Sequence, residues 1–215
     1  MEDIAEFDML VVPGGSVDPV LKAGKESPVQ KLIQKFIELQ EGDPSKERTL
    51  MSVCTGSLFL AQAGHLQGMG ATTHPDFYTK LEILCQEAAR KGDYQQTDVM
   101  EVPYVVNNAR FALDVDGKDN PFVFSKKPSK ERRRSIARKG SDAWRDGMRR
   151  RESIARRANL PLGGMRLVTS GGVTTGIDAS LYLVSAMVSQ AAAEEVARVM
   201  QYDWKKGVTV DGIDV

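Results

Sequence analysis

Cys54 closes the apolar run Arg48-Thr-Leu-Met-Ser-Val and is followed at once by Thr55-Gly56 and a helical pattern. A strand that stops and turns sharply into a helix projects its turn side chain out of the sheet. The helix behind it offers free N–H groups and the positive end of a dipole, and both favour thiolate over thiol. Nucleophilic attack by sulfur is the chemistry this arrangement suits. The plainer reading is a small buried cysteine filling a strand end, and the sequence admits both. His74 lies twenty residues on, after Ala71-Thr72-Thr73. There it suits a base or orienting partner for a thiol, or equally a cap for a helix that starts at Pro75. A thiolate that attacks an electrophilic carbon also needs donors for the charge that develops on the acceptor atom. Backbone around Gly14 and Gly15, with the Thr55 amide, is the candidate supply. His65, in the loop after the Cys54 helix, reads as solvated, and Asp178 as a charge on a helix N-terminal dipole.

Alternating strand and helix signals must position these groups, which points to an α/β fold with parallel βαβ units. Phe7–Val12 reads as a buried strand broken at Pro13-Gly14-Gly15. A helix over Pro28 to Gln40 presents Val29, Leu32, Ile33, Phe36 and Ile37 as one stripe. The Cys54 strand, a helix over Thr55 to Ala63 and a short strand at Ala71–Thr73 follow. Pro75 to Arg90 form an amphipathic helix stopped by Gly92. Leu81, Leu84, Cys85 and Ala88 recur on its inner face, which accounts for Cys85. Tyr104–Val106 and Arg110–Val115 read as a hairpin or two short extended segments. Arg166–Ser170 resumes the sheet, Gly171–Gly176 is a tight loop into a helix from Ile177, and another helix covers Ala191 to Trp204.

At 215 residues with 41% hydrophobic content, the chain fits one domain, or one domain with an insertion. The acidic start lacks the basic-then-apolar order of a secretion signal, and no apolar run reaches spanning length. The expected location is cytoplasmic, with no membrane partner. Two cysteines, Cys54 and Cys85, are too few and too scattered for a disulfide framework or a cysteine-rich zinc site. No metal, nucleotide or flavin motif is present, since the glycines at 171–176 lack Gly-x-Gly-x-x-Gly spacing. No cofactor is expected.

Formal net charge is zero, yet residues 126–157 hold fourteen Lys and Arg against four Asp and Glu. The stretch 116–163 therefore reads as a basic, partly disordered insertion within the domain. Arg132-Arg-Arg-Ser135-Ile-Ala-Arg138 and Arg150-Arg151-Glu152-Ser153-Ile-Ala-Arg156 are a near repeat. Arg-Arg-x-Ser at Ser135 and Ser153 fits a basophilic kinase, whose phosphate nearby Arg would pair. A patch for nucleic acid ranks low, because Trp144 is the one aromatic among the charges. A solvated loop is the plain alternative.

Val11-Val12-Pro13-Gly14-Gly15, Ser52-Val53-Cys54-Thr55-Gly56, Ala71-Thr72-Thr73-His74 and Thr169-Ser170-Gly171-Gly172-Val173-Thr174-Thr175-Gly176-Ile177-Asp178 together resemble the ThiJ/PfpI superfamily. Cys-Thr-Gly at the second motif is most similar to the isocyanide (isonitrile) hydratase branch and its fungal relatives. The resemblance covers about residues 7 to 108 and 165 to 204. It implies a flavodoxin-like three-layer sandwich related to class I glutamine amidotransferases, with Cys54 as nucleophile and a homodimer as the assembly. It also implies that the Thr55 hydroxyl lies in the active site, whereas a helix-capping threonine is the alternative. The superfamily has a first strand and helix ahead of Phe7–Val12, with an acidic residue just past that strand handling the proton. This sequence starts after that point, so the domain is expected to lack them, either through truncation or through degeneracy; Asp18 is the nearest acid by sequence. The function implied is addition of water to an isocyanide or similar small electrophile through a covalent Cys54 intermediate. Glyoxalase or deglycase chemistry on methylglyoxal, and a non-catalytic redox-sensing or chaperone-like role, stand as alternatives.

Overall fold

The run Arg48-Thr-Leu-Met-Ser-Val places Leu50 on one face and Met51 and Val53 on the other, as a parallel strand covered on both sides requires. In the computed structural model, which describes residues 2–43, 46–92, 96–108, 111–112, 162–163 and 165–211, it forms strand β2 (Arg48–Val53). Leu50 points to one side, packing with Val12, Leu167, Ile33 and Phe36. Met51 points to the other, against Val106, Val168, Ala179 and Leu183.

Strand β1 (Met9–Val12) pairs parallel with β2. Helices α1 (Asp18–Ala23) and α2 (Pro28–Gly42) link the two. α2 begins where Ser27 Oγ accepts the Gln30 N–H at 3.2 Å and Pro28 fills the first turn, whose N–H groups lack helical partners. Its far end is held by buried Arg48, whose Nη1 donates to the Leu39 and Asp43 carbonyls at 3.1 and 3.4 Å. A cation there also opposes the helix dipole. Ile33, Phe36 and Ile37 are buried as the stripe requires, whereas Leu32 sits at its exposed margin.

After β2, a 3-10 turn (Cys54–Gly56) leads into α3 (Ser57–Ala63). Next come β3 (Gly70–Ala71), a second 3-10 turn (Pro75–Phe77) and α4 (Tyr78–Gly92). Cys85 is buried on the inner face of α4 beside Leu81 and Ala89. β4 (Asp98–Val99) pairs with β3, and β5 (Tyr104–Asn108) joins the main sheet. β6 (Phe111–Ala112) and β7 (Leu162–Gly163) form a small antiparallel ladder. β8 (Met165–Ser170) lies parallel to β2, and α5 (Val173–Met187) and α6 (Gln190–Val199) follow it. β9 (Val208–Asp211) ends the described chain.

The main sheet runs β1-β2-β8-β5-β9, parallel except where β5 meets β8. α1 to α4 supply the first cluster and α5 the second, so helices cover both faces of a mostly parallel α/β sheet. β3 is tied in by side chains. Asn107 Nδ2 donates to the Gly70 carbonyl at 2.8 Å, and the Gly70 N–H donates to Asn107 Oδ1 at 3.1 Å.

Several sequence expectations are corrected. Of the two readings of Tyr104–Val106 and Arg110–Val115, separate extended segments hold and the hairpin does not: β5 takes β8 and β9 as neighbours, while Phe111–Ala112 of β6 takes β7. The loop after β8 is shorter than Gly171–Gly176, because the helix already starts at Val173 with Thr175 Oγ1 donating to the Gly172 carbonyl at 2.9 Å. The last helix stops at Val199, short of Trp204, in a left-handed turn at Gln201. Asp178 is not at a helix terminus. It is buried in the second turn of α5, where Oδ1 accepts the Lys205 N–H at 2.8 Å. The basic stretch, with Ser135 and Ser153, lies outside the described residues.

Candidate functional site

Three chain segments leave the carboxyl ends of main-sheet strands, Pro13-Gly14-Gly15 after β1, Cys54 after β2 and Gly171-Gly172 after β8, and a fourth, Thr72-Thr73-His74 after β3 of the small β3-β4 ladder, is hydrogen-bonded to them through Thr169 and Cys54. In open α/β sheets the carboxyl ends of the strands are where ligands collect.

Cys54 has φ of 57°. That left-handed conformation is disfavoured for a residue with a Cβ, and it is the kink that lifts a side chain out of a strand before a helix begins. The thiol is half-buried. The elbow is held through its carbonyl, which accepts from Ser57 Oγ at 3.3 Å and from Thr73 Oγ1 at 3.1 Å. Gly56 sits where any Cβ would strike the Val12 carbonyl, so the elbow packs directly on the end of β1.

The glycine turn closes over this sulfur. A Cβ on Gly14 would lie 2.6 Å from Cys54 Cβ and 3.1 Å from both Cys54 Sγ and the Thr55 nitrogen. Thr55 is buried, and its hydroxyl does not cap its own helix. Oγ1 accepts the Gly15 N–H at 2.9 Å and donates to the Gly15 carbonyl at 3.0 Å. The Gly15 amide hydrogen, a candidate donor by sequence, is thus engaged by Thr55. The face of the turn toward the sulfur is that of Gly14.

His74 is about one-third exposed, at 35%, and its Nδ1 accepts the Asp76 N–H at 3.3 Å, so it caps the turn that starts at Pro75. The Asp76 carboxylate is 3.7 Å away, and Phe77 meets the ring edge-on. A Cβ built on Gly172 would stand 4.0 Å from its Cδ2, so the loop after β8 lies near the ring. The capping role and a place beside the site therefore coexist, with Nε2 as the nitrogen not used in the cap. Next door, Thr72 N–H donates to Thr169 Oγ1 at 2.9 Å, which ties the Thr72-Thr73-His74 segment to the end of β8, and the Gly171 N–H donates to the Pro103 carbonyl at 3.0 Å, which ties the Gly171-Gly172 segment to the start of β5.

Asp18 opens α1 and is exposed. His65 is half-buried in the turn after α3, not solvated. Thr73 and Ser57 were not singled out by sequence. The paired threonines before His74 were the available signal, since two hydroxyls at a strand end can each reach a neighbouring strand. Among the described residues, no group of three or more His, Cys, Asp or Glu could hold a metal ion, and no helix is long and apolar enough to cross a membrane.

Residues 2–111, just over half of the chain, match the family model described as the DJ-1/PfpI family. The chain belongs to the DJ-1/PfpI family. The ThiJ/PfpI resemblance carried by the four motifs is to this same family. An isonitrile hydratase of Pseudomonas putida is 34% identical over 84 residues, which cover 39% of this chain and 32% of that protein. The chain thus aligns with about a third of the length of that curated relative.

Proposed function

We propose that this DJ-1/PfpI protein is a cysteine-dependent hydratase acting on an isocyanide or a similarly small electrophile. The left-handed Cys54, facing a glycine that has no Cβ, is the observation that carries the reading. Gly14 brings backbone and no side chain against the sulfur, and the 3-10 turn into α3 starts at the cysteine. Similarity to the isonitrile hydratase supplies the substrate class.

In this proposal the Cys54 sulfur adds to the terminal isocyanide carbon, and that carbon takes up a proton to give a thioimidate. Water then adds to the same carbon. Collapse of the tetrahedral adduct breaks the C–S bond, returns the thiol and releases an N-substituted formamide, so the net change is one water added. Thr55 acts by holding the Gly14-Gly15 peptide against the sulfur, and the backbone amide of Thr55 is a donor toward developing charge. His74 Nε2 is the side-chain proton carrier assigned to the site, with water between it and the reacting atoms. A homodimer, with no cofactor, belongs to the same proposal.

The test is loss of a simple alkyl isocyanide, followed by infrared absorption of the N≡C stretch, in the presence of the protein and of its Cys54→Ala variant. The parent should consume isocyanide and form the formamide, whereas the variant should match buffer. Equal rates would remove the reading.

A further inference from the structure

The Cys54 carbonyl carries more hydroxyl support than its position demands. Ser57, three residues on, already donates to it at 3.3 Å, a local bond of the kind a helix start makes for itself. The second donor comes from a different strand end. Thr73 Oγ1 reaches it at 3.1 Å across nineteen residues of sequence, and Thr73 is completely buried. With the Ser57 bond present, the Thr73 bond is not needed to satisfy the carbonyl. What it adds is a fixed orientation for a peptide whose φ of 57° has no support from residue preference.

We infer that Thr73 is a positioning residue for the Cys54 thiol: its hydroxyl holds the strained elbow so that the sulfur is presented at one angle between Gly14 and the strand ends. This rests on the reading of Cys54 as a reactive nucleophile. Three observations converge on it. The bond is made to the strained residue itself, the donor is sealed from water, and the residue before the donor is anchored. Thr72 donates its N–H to Thr169 Oγ1 at 2.9 Å and its hydroxyl to the Val102 carbonyl at 3.1 Å. A rigid donor on a rigid strand end fixes geometry in a way that a flexible side chain does not.

The same bond couples Cys54 to the residue that precedes His74. A shift of the Thr73-His74 segment therefore moves the elbow carbonyl and the imidazole together, which keeps the two in one frame.

The test is the second-order rate of Cys54 alkylation by iodoacetamide in the full chain, read from the Cys54 peptide by mass spectrometry, for the parent, Thr73→Val and Thr73→Ser. Valine keeps the shape and removes the hydroxyl; serine keeps the hydroxyl. The expected result is a rate about 5-fold below the parent for valine, the size of one ordinary hydrogen bond, with serine close to the parent. Thermal midpoints of the three are measured alongside. If Thr73→Val lowers the midpoint yet alkylates at the parent rate, or if serine fails to recover the rate while folding like the parent, the inference is overturned. Iodoacetamide needs no hydratase activity, so a protein inert toward isocyanides would remove the proposed function and leave this assignment standing.

Discussion

Thr55 and Gly15 exchange two hydrogen bonds, the glycine N–H to the threonine oxygen at 2.9 Å and the threonine hydroxyl to the glycine carbonyl at 3.0 Å. The hydroxyl thereby imitates a strand partner and ties the two segments together again three residues beyond the last ladder pair of β1 and β2, Val12 and Ser52. Because Thr55 follows Cys54 directly, the glycine turn cannot drift from the sulfur without breaking both bonds.

Replacing Thr55 by valine should therefore free the turn. Two modest bonds are lost and a glycine peptide is left to water, which costs about 1–3 kcal/mol of stability. Urea denaturation of Thr55→Val against Thr55→Ser reads it, with serine expected to recover most of the loss. A valine variant as stable as the parent would mean that the turn is held by something else.

Gly14→Ala tests the closeness of that turn. A methyl there would sit 2.6 Å from Cys54 Cβ, with backbone on its other side, so neither partner yields by a simple rotamer change. Overpacking of this kind costs about 1–3 kcal/mol. Alkylation of Cys54 should slow by at least about tenfold, because a shift equivalent to 1.4 kcal/mol in presentation is already that factor. Gly15→Ala, with nothing within 4 Å of its added methyl, should fold like the parent and serves as the control.

How much of this was legible beforehand follows from where the information sits. β2 and β8 were readable because each carries adjacent apolar residues, Leu50-Met51 and Leu167-Val168, that face opposite sides of a sheet covered on both, and α2 because Ser27-Pro28 and its stripe agree. β3 and β4 are two residues each and are fixed by Asn107 and by each other, a partnership no local window contains. β9 carries a local signal of its own, the β-branched Val208-Thr209-Val210 after Gly207. At the site, Cys54, Gly14 and Thr55 announced themselves by motif. Their connections did not: whether the Thr55 hydroxyl caps its own helix or reaches across forty residues is decided by the crossover of β1 and β2. Asp178 misled for the same reason, since its partner, the Lys205 amide, arrives only after α6 has turned back.

Cys85 predicts a slope in alkaline stability. Burial pushes its thiol up from the ordinary range, the Thr97 hydroxyl pulls the other way, and the charge of Glu82 adds to the rise. The unfolded chain gives up this proton near pH 8.5, while the folded chain keeps it to higher pH. Below about 8.5 the contribution is therefore complete, and it is lost as pH climbs toward the folded value. Urea midpoints of the parent should fall more steeply from pH 8 to 10 than those of Cys85→Ala. Parallel curves would show that the burial carries no linkage.

Gln201 should yield stability without touching the site. It has φ of 52° and closes α6: its N–H donates to the Arg198 carbonyl at 3.1 Å and the Tyr202 N–H to the Ala197 carbonyl at 2.9 Å. That is the paired pattern in which glycine is the preferred left-handed residue. Gln201→Gly removes the steric penalty, partly offset by the greater freedom of glycine in the unfolded chain. A net gain of about 0.5–1 kcal/mol in urea denaturation is expected, with Cys54 alkylation unchanged.

Cys54 itself presents the opposite balance, and two substitutions separate its chemistry from its backbone. Cys54→Ala removes the sulfur but keeps a Cβ at φ of 57°, so the strain persists. Cys54→Gly removes both. A left-handed residue with a Cβ costs on the order of 1–2 kcal/mol, and glycine in the unfolded chain returns part of that. The glycine variant should therefore exceed the alanine variant by about 1 kcal/mol in urea denaturation, although it leaves the larger void beside Gly14. A strained residue kept at a strand end, where glycine would fold better, is what a site selected for its sulfur should show. If alanine proves the more stable of the two, the elbow is not under strain, and the geometry that presents the thiol must be accounted for by packing alone.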